Sequence, residues 1–281
     1  MYGMRTPLVQ AAIRRMAPER RIKAVQLLSR LCGPRVRCVV NSMAVRIDIL
    51  ESIQQRMFLG EYEPTQTDWL KECLSPGDRF VDLGANFGYY TSLASKIVGD
   101  AGRVVAFEPS PRAAQVIRDM IAENEIKNVH LVQAAVGEKD GKIEIFMPSN
   151  NGTHSPSALF SDPTFTPLQV PLIALDHYGP LNVGTPIKLI KIDVEGFEPN
   201  VIKGFRRLAQ AGLIQNLFCE FNSGWLRRNS TTPKQLFEAI VDCGFVVHKK
   251  TELTTHPEAD GLQTFELQDI WFSWGGKNEN G

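Results

Sequence analysis

The sequence predicts an α/β fold in which a doubly wound, mostly parallel sheet carries helices on both faces. Three observations lead to this prediction. Short apolar runs alternate with helix-compatible stretches from Arg79 onward, a glycine-containing turn joins the first such pair, and an acidic residue ends the second apolar run. This alternation is typical of a parallel sheet whose ligand lies beyond the carboxyl ends of the strands.

The first strand, turn and helix begin at Arg79–Leu83, where an apolar run stops at Gly84. Gly88 follows four residues later, directly before a helix predicted over Tyr89–Val98. The first glycine allows a backbone conformation that is closed to other residues, and the second removes bulk at the helix N-terminus. The turn is therefore predicted to bring backbone amides close to a ligand.

The predicted second strand, Arg103–Phe107, ends at Glu108. An acid roughly 20 residues beyond a glycine turn is placed to accept hydrogen bonds from both hydroxyls of a ribose. The turn reads Gly-Ala-Asn-Phe-Gly and lacks the third glycine of dinucleotide enzymes. These residues together predict a nucleoside ligand, whereas the turn taken alone is equally consistent with an ordinary connection from strand to helix.

Three stretches resemble the signature blocks of the FkbM family: VDLGANFG at 81–88 with Thr91, AVG at 135–137 and KIDVEGFE at 191–198. The resemblance extends over about residues 57–272. FkbM proteins are class I, Rossmann-like methyltransferases that depend on S-adenosylmethionine, and many of them methylate hydroxyls of sugars or natural products. The resemblance therefore implies a seven-stranded sheet with an antiparallel last strand, S-adenosylmethionine as cofactor, and O-methylation of a small hydroxylated acceptor.

The resemblance also implies a cofactor site along the strand ends. The residues expected there are Asp82, Gly84, Ala85, Asn86, Gly88, Thr91, Glu108, Pro109, Ala134, Ala135 and Asp193. The glycine turn would hold the methionine part of the cofactor, Glu108 the ribose, and the two alanines the adenine. Asp82 would contact the amino-acid end of the cofactor or the amides of the turn.

Carboxylates after the fourth and fifth predicted strands are candidates for the base that a hydroxyl acceptor requires. They are Asp193, Glu195 and Glu220, and Asp193 is the first choice by analogy with the family core. For Glu195, and for Glu198 in a first helical turn, stabilisation of the helix dipole is an equal alternative. A divalent cation on Asp193, Glu220 and Asn222 is a further alternative, although no cluster of His and Cys predicts a metal site.

Two other functions stay open on the sequence alone. A nicotinamide-dependent oxidoreductase shares the glycine turn and the acid after the second strand, but the missing third glycine disfavours it. A catalytically silent adaptor would keep the fold and organise a partner through its basic N-terminal arm. The acids at Asp193 and Glu220 argue against such an adaptor.

The composition narrows the class of protein and its compartment. The chain has 281 residues, of which 43% are apolar and 22% charged, so it can bury a substantial core. Basic and acidic residues are equal in number, so nucleic acid is not expected as a partner. Five scattered cysteines, the lack of an apolar run of about 18 residues and the lack of a secretory signal predict a reduced, cytoplasmic protein.

Residues 1–74 are predicted to form an N-terminal extension ahead of a methyltransferase domain at 75–275. The first 37 residues contain nine basic side chains and one acid, Glu19, with apolar residues at helical spacing. This helix is expected to dock on the same chain or on a second subunit of a homodimer. Attachment to an anionic membrane surface and an organellar transit peptide are the alternatives. The sequence then predicts a hairpin over 36–49 and a helix over 65–74. Between them, a structural turn is expected at Tyr62 and Glu63, which could also line the cofactor site.

Turn and cap signals predict the remaining elements. Helices are expected at 112–125 and 199–211, and strands at 129–132, 170–175, 187–192, 214–221, 245–248 and 268–271. Thr232 and Gln235 predict a capping box at the start of a helix that Gly244 ends. Turn formers dominate between Met147 and Gln169, which predicts either a mobile lid over the acceptor or surface disorder. Asp176 is expected to make a hydrogen bond that holds the fold.

Overall fold

The structure is a computed structural model that describes residues 6–148, 165–181, 184–257 and 264–276 of the chain. Its first part consists of helices and a hairpin, as predicted. The elements are α1 (Thr6–Arg14), α2 (Pro18–Cys32), β1 (Arg35–Val40), β2 (Met43–Asp48), α3 (Ser52–Leu59) and α4 (Pro64–Cys73). Within the described ranges, none of the helices is long and apolar enough to span a bilayer.

A glutamine side chain of α1 forms hydrogen bonds with the backbone of the hairpin, as a neighbouring strand would. The hairpin turns at Asn41 and Ser42, whose φ angles of 50° and 66° are left-handed, as tight hairpin turns require. The buried Gln10 side chain of α1 donates to the carbonyl of Val39 and accepts from the Val39 amide, both at 2.9 Å. The first helix is therefore fixed to the hairpin by polar as well as apolar contacts.

A seven-stranded path forms the central sheet, in the order β5–β4–β3–β9–β10–β13–β11. Its strands are β3 (Arg79–Leu83), β4 (Arg103–Phe107), β5 (Val129–Val132), β9 (Leu189–Ile192), β10 (Asn216–Asn222), β11 (Phe245–Lys250) and β13 (Thr264–Trp274). A short strand, β12 (Thr254–Pro257), pairs with β13. Strands β3, β4, β5, β9 and β10 run parallel, and β13 is antiparallel to β10 and β11. The predicted doubly wound sheet with an antiparallel last strand is confirmed.

The connections place a ligand crevice at β3. The chain leaves β3 toward β4 and β5 on one side, whereas β9 and β10 lie on the other side. In open α/β sheets this switch of direction opens a crevice at the carboxyl ends of the strands. Both faces of the central strands are covered, and all four residues of β9 are buried.

Helices cover both faces of the sheet. They are α5 (Tyr89–Val98), α6 (Pro111–Glu123), α7 (Glu198–Gly204), α8 (Arg206–Gln210), α9 (Ser223–Arg228) and α10 (Pro233–Val241). Thr232 and Gln235 form the predicted capping box of α10. The single helix predicted over 199–211 is wrong, because the chain breaks at Phe205, where the Asp176 carboxylate accepts from the amides of Arg207 and Leu208 at 2.9 Å and so caps α8.

A second, three-stranded sheet lies beside the first, in the order β6–β8–β7. It consists of β6 (Ala135–Val136), β7 (Gly141–Pro148) and β8 (Phe165–Ile173). The predicted loop is therefore shorter, since β8 begins at Phe165. Pro167 pairs with Phe146 of β7, and in the described part of the chain β6 pairs with β8 only at Leu172 and Ile173. Proline in a sheet is found at such an edge. Residues 149–164, which hold most of the predicted lid, lie outside the described residues.

Candidate active site

The turn after β3 can be formed only with glycine at its first position. Gly84 has a φ of +79°, and a Cβ added there would lie 1.9 Å from the carbonyl oxygen of Asp193. The amides of Gly84 and Ala85 both donate to the Phe107 carbonyl, at 3.1 and 3.0 Å. The ends of β3, β4 and β9 are thereby drawn together, and the turn lies against the loop that carries Asp193.

The second glycine of the turn has a different role from the predicted one. Gly88 has a φ of +80°, and a Cβ there would lie 3.0 Å from Cγ1 of Ile117 in α6. Gly88 is not among the residues that line the cavity described below. A glycine is needed here for the left-handed cap of α5 and for packing on α6, rather than for space around a ligand.

Asp82 and Thr91 also lie beneath the turn and not on the cavity wall. Both side chains are fully buried, and the Thr91 hydroxyl donates to Asp82 Oδ2 at 2.7 Å. Burial raises the pKa of Asp82, although nearby Lys191 and the Thr91 hydroxyl oppose the shift. This pair supports the first strand and its helix from below, so neither side chain is placed to touch a cofactor in the cavity.

A cavity of about 270 Å³ opens at the strand ends. Nine of the predicted site residues line it: Gly84, Asn86, Glu108, Pro109, Ala134, Ala135, Asp193, Glu195 and Glu220. Ala85 lies on a small adjoining cleft with Asn86 and Asp193. Most of the predicted cofactor and acceptor residues are therefore brought together around a single cavity of a size near the lower end of small-molecule sites, about 300 Å³.

Glu108 is the buried acceptor of this cavity. Its side chain is 3% exposed, and its two carboxylate oxygens accept from the amides of Asn86 and Ser110 at 2.7 and 2.8 Å. Burial raises the pKa of Glu108 to about 7, against the opposing effect of the two amides. A carboxylate oxygen can accept more than one hydrogen bond. The residues therefore fit a nucleoside, because each oxygen keeps capacity for a ribose hydroxyl beside the glycine turn.

Carboxylates at the ends of β9 and β10 also line the cavity, and Lys191, which was not among the predicted site residues, pairs with one of them. The Lys191 ammonium lies 2.8 Å from Asp193 Oδ2 and 4.8 Å from the centre of the Tyr90 ring. Burial alone would lower the pKa of Lys191, but the carboxylates of Asp193, Glu63 and Asp82 outweigh burial and raise it. The signal was present, because a lysine in a buried strand two residues before Asp193 shares its face.

Glu220 lines the same cavity from β10. Its pKa is raised well above the usual value, first because burial disfavours the anion and then because Asp193 and Glu195 add negative charge. Glu195 has a left-handed φ of 54° in the loop after β9. Three carboxylates from two neighbouring strand ends thus face one space.

The N-terminal extension supplies part of the cavity wall. Tyr62, Glu63, Ile53 and Arg56 all line it. Glu63 has a left-handed φ of 40° and accepts from the Tyr90 hydroxyl at 2.6 Å. The expected structural turn at Tyr62 and Glu63 is therefore also part of the site.

Glu198 and Asn222 hold backbone rather than a ligand. Glu198 Oε1 accepts from the amides of Val194 and Gly196, both at 3.1 Å, and fixes the loop that carries Glu195. Asn222 Oδ1 accepts from the first amides of α9, at 3.1 and 3.2 Å, so the cation site that would have used it is not supported. Over the described ranges, no group of three or more His, Cys, Asp or Glu is placed to hold a metal ion.

A family model described as the methyltransferase FkbM domain matches residues 82–247, more than half of the chain. The chain belongs to the FkbM methyltransferase family. The predicted family is confirmed, and so is S-adenosylmethionine as the cofactor of this FkbM methyltransferase. The family membership also decides against the nicotinamide-dependent alternative.

Other similarities of this FkbM methyltransferase are more distant. It is 34% identical over 103 residues to the ubiquinone/menaquinone biosynthesis C-methyltransferase UbiE of Vibrio parahaemolyticus. The aligned region is 36% of this chain and 38% of that relative. It is 31% identical over 67 residues to a probable cobalt-precorrin-6B C(15)-methyltransferase of Sulfolobus acidocaldarius, covering 24% of the chain and 35% of the relative. The chain thus spans less than two fifths of the length of these curated relatives.

Among solved structures, methyltransferase FkbM from Methylobacillus flagellatus aligns with a TM-score of 0.43 and 15% identity, over 89% of this chain and 59% of that one. Fibrillarin from Aeropyrum pernix, solved with natively bound S-adenosyl-L-methionine, aligns with a TM-score of 0.42 and 14% identity. That alignment covers 74% of this chain and 73% of fibrillarin.

Proposed function

We propose that this FkbM methyltransferase methylates a hydroxyl of a small acceptor, such as a sugar or another hydroxylated metabolite, with Glu220 as the general base. One observation carries the proposal. A half-buried carboxylate with a raised pKa, Glu220, lines the cavity together with Asp193 and Glu195. A hydroxyl nucleophile has to lose its proton, and a carboxylate with a raised pKa is a better acceptor for that proton.

Asp193 was the first choice for the base, and its surroundings favour a different task. Its Oδ2 already accepts from the Lys191 ammonium at 2.8 Å, and Lys191 is itself buried. A carboxylate held in a charge-assisted hydrogen bond has a fixed orientation. We therefore assign Asp193 to orienting the acceptor hydroxyl through its remaining oxygen, and we assign proton removal to Glu220.

The remaining residues act by position. S-adenosylmethionine, when bound, supplies an electrophilic methyl group on a sulfonium. Glu108 would accept from the ribose hydroxyls, the glycine turn with Asn86 would border the amino-acid part, and Ala134 and Ala135 would border the adenine. Holding donor and acceptor in line contributes a large part of the rate enhancement in such displacements. The carboxylates also suit an acceptor that is neutral or cationic rather than anionic.

The test uses the purified chain with methyl-labelled S-adenosylmethionine and pools of sugars and hydroxylated metabolites. We expect a methyl ether, identified by NMR of the product. Glu220→Gln should lower kcat about 10²- to 10⁴-fold, the usual contribution of a positioned base, while cofactor affinity stays the same. Glu195→Gln serves as the matched variant and should retain most of the activity. A methyl group on carbon or nitrogen, or full activity in Glu220→Gln, would refute the proposal, and turnover of any acceptor rules out a silent adaptor.

We also propose a cytoplasmic location. All five cysteines are free, and four of them, Cys38, Cys73, Cys219 and Cys243, are buried. Unpaired buried thiols are typical of proteins from reducing compartments. Blocking and mass measurement of the protein purified from its native cells should find five reduced thiols, and a disulfide would contradict this location.

A further inference from the structure

We propose that the face of α1 and α2 turned away from the hairpin is a docking surface for a lipid bilayer rich in anionic phospholipid. We call this face the arm surface. It consists of the exposed apolar side chains of Leu8, Leu27 and Leu31 and the exposed basic side chains of Arg20, Lys23 and Arg30, together with Arg15 in the turn between the two helices.

The apolar side chains of the arm surface are not used by the fold. The inner faces of α1 and α2 bury Gln10, Ile13, Val25 and Leu28 against the rest of the extension. Leu8, Leu31 and Leu27, by contrast, are 75%, 69% and 57% exposed. Leu27 and Leu31 are four residues apart in one helix and therefore form a continuous apolar strip.

Exposed apolar side chains are concentrated in this region. Of the twelve large apolar residues that are exposed in the described part of the chain, six lie between residues 8 and 31. Single exposed apolar side chains are ordinary, whereas a group of them on adjoining helices indicates an interaction surface.

The charge of the arm surface identifies the kind of partner. Lys23 precedes Leu27 by one turn and Arg20 precedes it by two, so cations lie beside the apolar strip. Other arginines of the extension are engaged within the chain: Arg14 donates to the Phe58 carbonyl and Arg21 pairs with Glu61. The cations of the arm surface are instead exposed to solvent.

Basic residues around apolar side chains fit an anionic bilayer, because the apolar groups enter the acyl boundary while the cations remain at the headgroups. A second copy of this chain is a poorer fit. A symmetric contact between two arm surfaces would bring cations of like charge together around a desolvated centre. The proposed surface does not depend on which acceptor is methylated.

The experiment compares the full chain with vesicles of phosphatidylcholine alone and of phosphatidylcholine mixed with phosphatidylglycerol. We expect sedimentation with the mixed vesicles only, and release as salt rises, because the attraction is screened. Lys23→Glu should weaken binding by about fivefold or more, since each cation near an anionic surface contributes by that order. Leu27→Ser combined with Leu31→Ser should weaken it at least as much.

Two exposed apolar residues outside the arm provide the matched control. Leu253 and Val247 are 56% and 44% exposed, and replacing both with serine should leave vesicle binding unchanged. Unchanged thermal unfolding shows that the variants are folded, and unchanged methyl transfer to a soluble acceptor separates this surface from the cavity. Absence of vesicle binding by the unaltered chain, or equal binding to both kinds of vesicle, would overturn the proposal. A dimer in light scattering that the leucine variants dissociate would overturn it in favour of a second copy.

Discussion

The N-terminal arm and the cavity at the strand ends have opposite charge and opposite exposure. Residues 1–37 carry nine basic side chains and one acid, so the other 244 residues carry 22 basic and 30 acidic ones, although the whole chain is neutral. The cavity is lined by Glu63, Glu108, Asp193, Glu195 and Glu220. The net charge of zero is therefore the sum of two oppositely charged regions. The basic arm suits an anionic surface, and the acidic cavity suits a cationic cofactor.

The two regions also differ in how closely each side chain is constrained. In the cavity, Glu108 is buried and accepts from two backbone amides, and Asp193 accepts from the Lys191 ammonium. On the arm surface, the leucines and the basic side chains face solvent. Substitutions should therefore destabilise the fold strongly at the strand ends and very little on the arm surface.

The largest effect is expected at Gly84. Gly84→Ala would place a methyl group 1.9 Å from the Asp193 carbonyl, so the turn or the loop has to move. We expect a loss of about 5 kcal/mol or more in the free energy of unfolding, close to the whole stability of a typical domain. The matched variant is Gly77→Ala, where φ is +88° but no atom lies within 4 Å of the added group. It should lose only about 1–2 kcal/mol, the cost of the left-handed backbone. Similar denaturation midpoints for the two variants would contradict the close approach at Gly84.

Lys191→Met should have the next largest effect. It leaves the half-buried carboxylate of Asp193 and the buried carboxylate of Asp82 without their cation, and loss of one partner from a buried pair costs about 3–5 kcal/mol. Lys71 makes a pair of similar length, 2.9 Å, with Asp68, but both side chains are exposed. Lys71→Met should therefore cost less than about 1 kcal/mol. Urea denaturation measures both variants, and equal losses would show that burial does not set the cost.

The buried carboxylates also predict how stability depends on pH. Burial raises the pKa of Glu108 and of Glu198 from 4.5 to about 7. Between pH 4.5 and 7 the folded chain keeps protons that the unfolded chain has released, so the free energy of unfolding contributed by these groups falls as pH rises through that window. The size is on the order of 1.4 kcal/mol for each unit of pKa shift.

Glu198→Gln isolates one of these two groups while keeping an oxygen for the amides of Val194 and Gly196. The decline in thermal stability from pH 5 to pH 8 should become shallower in this variant. Glu144→Gln, at an exposed position of β7, should leave the decline unchanged. If the slope in Glu198→Gln matches that of the unaltered chain, the assignment of the pH dependence to this carboxylate is wrong.

The smallest effect is expected on the arm. Leu31→Ser removes a side chain that is 69% exposed and should change the free energy of unfolding by less than about 0.5 kcal/mol. Leu28, three residues earlier, is 8% exposed, and Leu28→Ala should cost about 2 kcal/mol or more. Thermal unfolding of the two variants tests whether only the inner face of α2 belongs to the fold. A large loss in Leu31→Ser would show that the exposed leucine is needed for folding.

The sequence predicted the elements around the site because turn and polar residues mark where each of these elements begins and ends. The first strand, its helix and the next two strands lie where expected, at Arg79–Leu83, Tyr89–Val98, Arg103–Phe107 and Val129–Val132. Each apolar run there ends at a glycine or a polar residue. By contrast, the turn formers between Met147 and Gln169 predicted a loop, whereas β8 already begins at Phe165, where it pairs with Pro148 of β7. This pairing joins separate segments of the chain, and no local pattern encodes it.

The site residues divide in a similar way. Glu108 was found from its position after a strand, and its contact with the glycine turn follows from the parallel pairing of β3 and β4. The pairing of Tyr90 with Glu63 joins residues 27 positions apart in different elements, and no local pattern encodes it. Gly88 was identified correctly as a special position, but its neighbour, Ile117 in α6, could be known only from the packing.

The assignment of the cavity as a nucleoside site depends most directly on Glu108. Calorimetric titration of the protein with S-adenosylmethionine tests this assignment. Glu108→Gln should remain folded and bind the cofactor about 100-fold more weakly, the loss expected when hydrogen bonds to a charged acceptor are weakened. Glu144→Gln, at an exposed position, should bind it normally. Unchanged affinity in a folded Glu108→Gln variant would contradict the account.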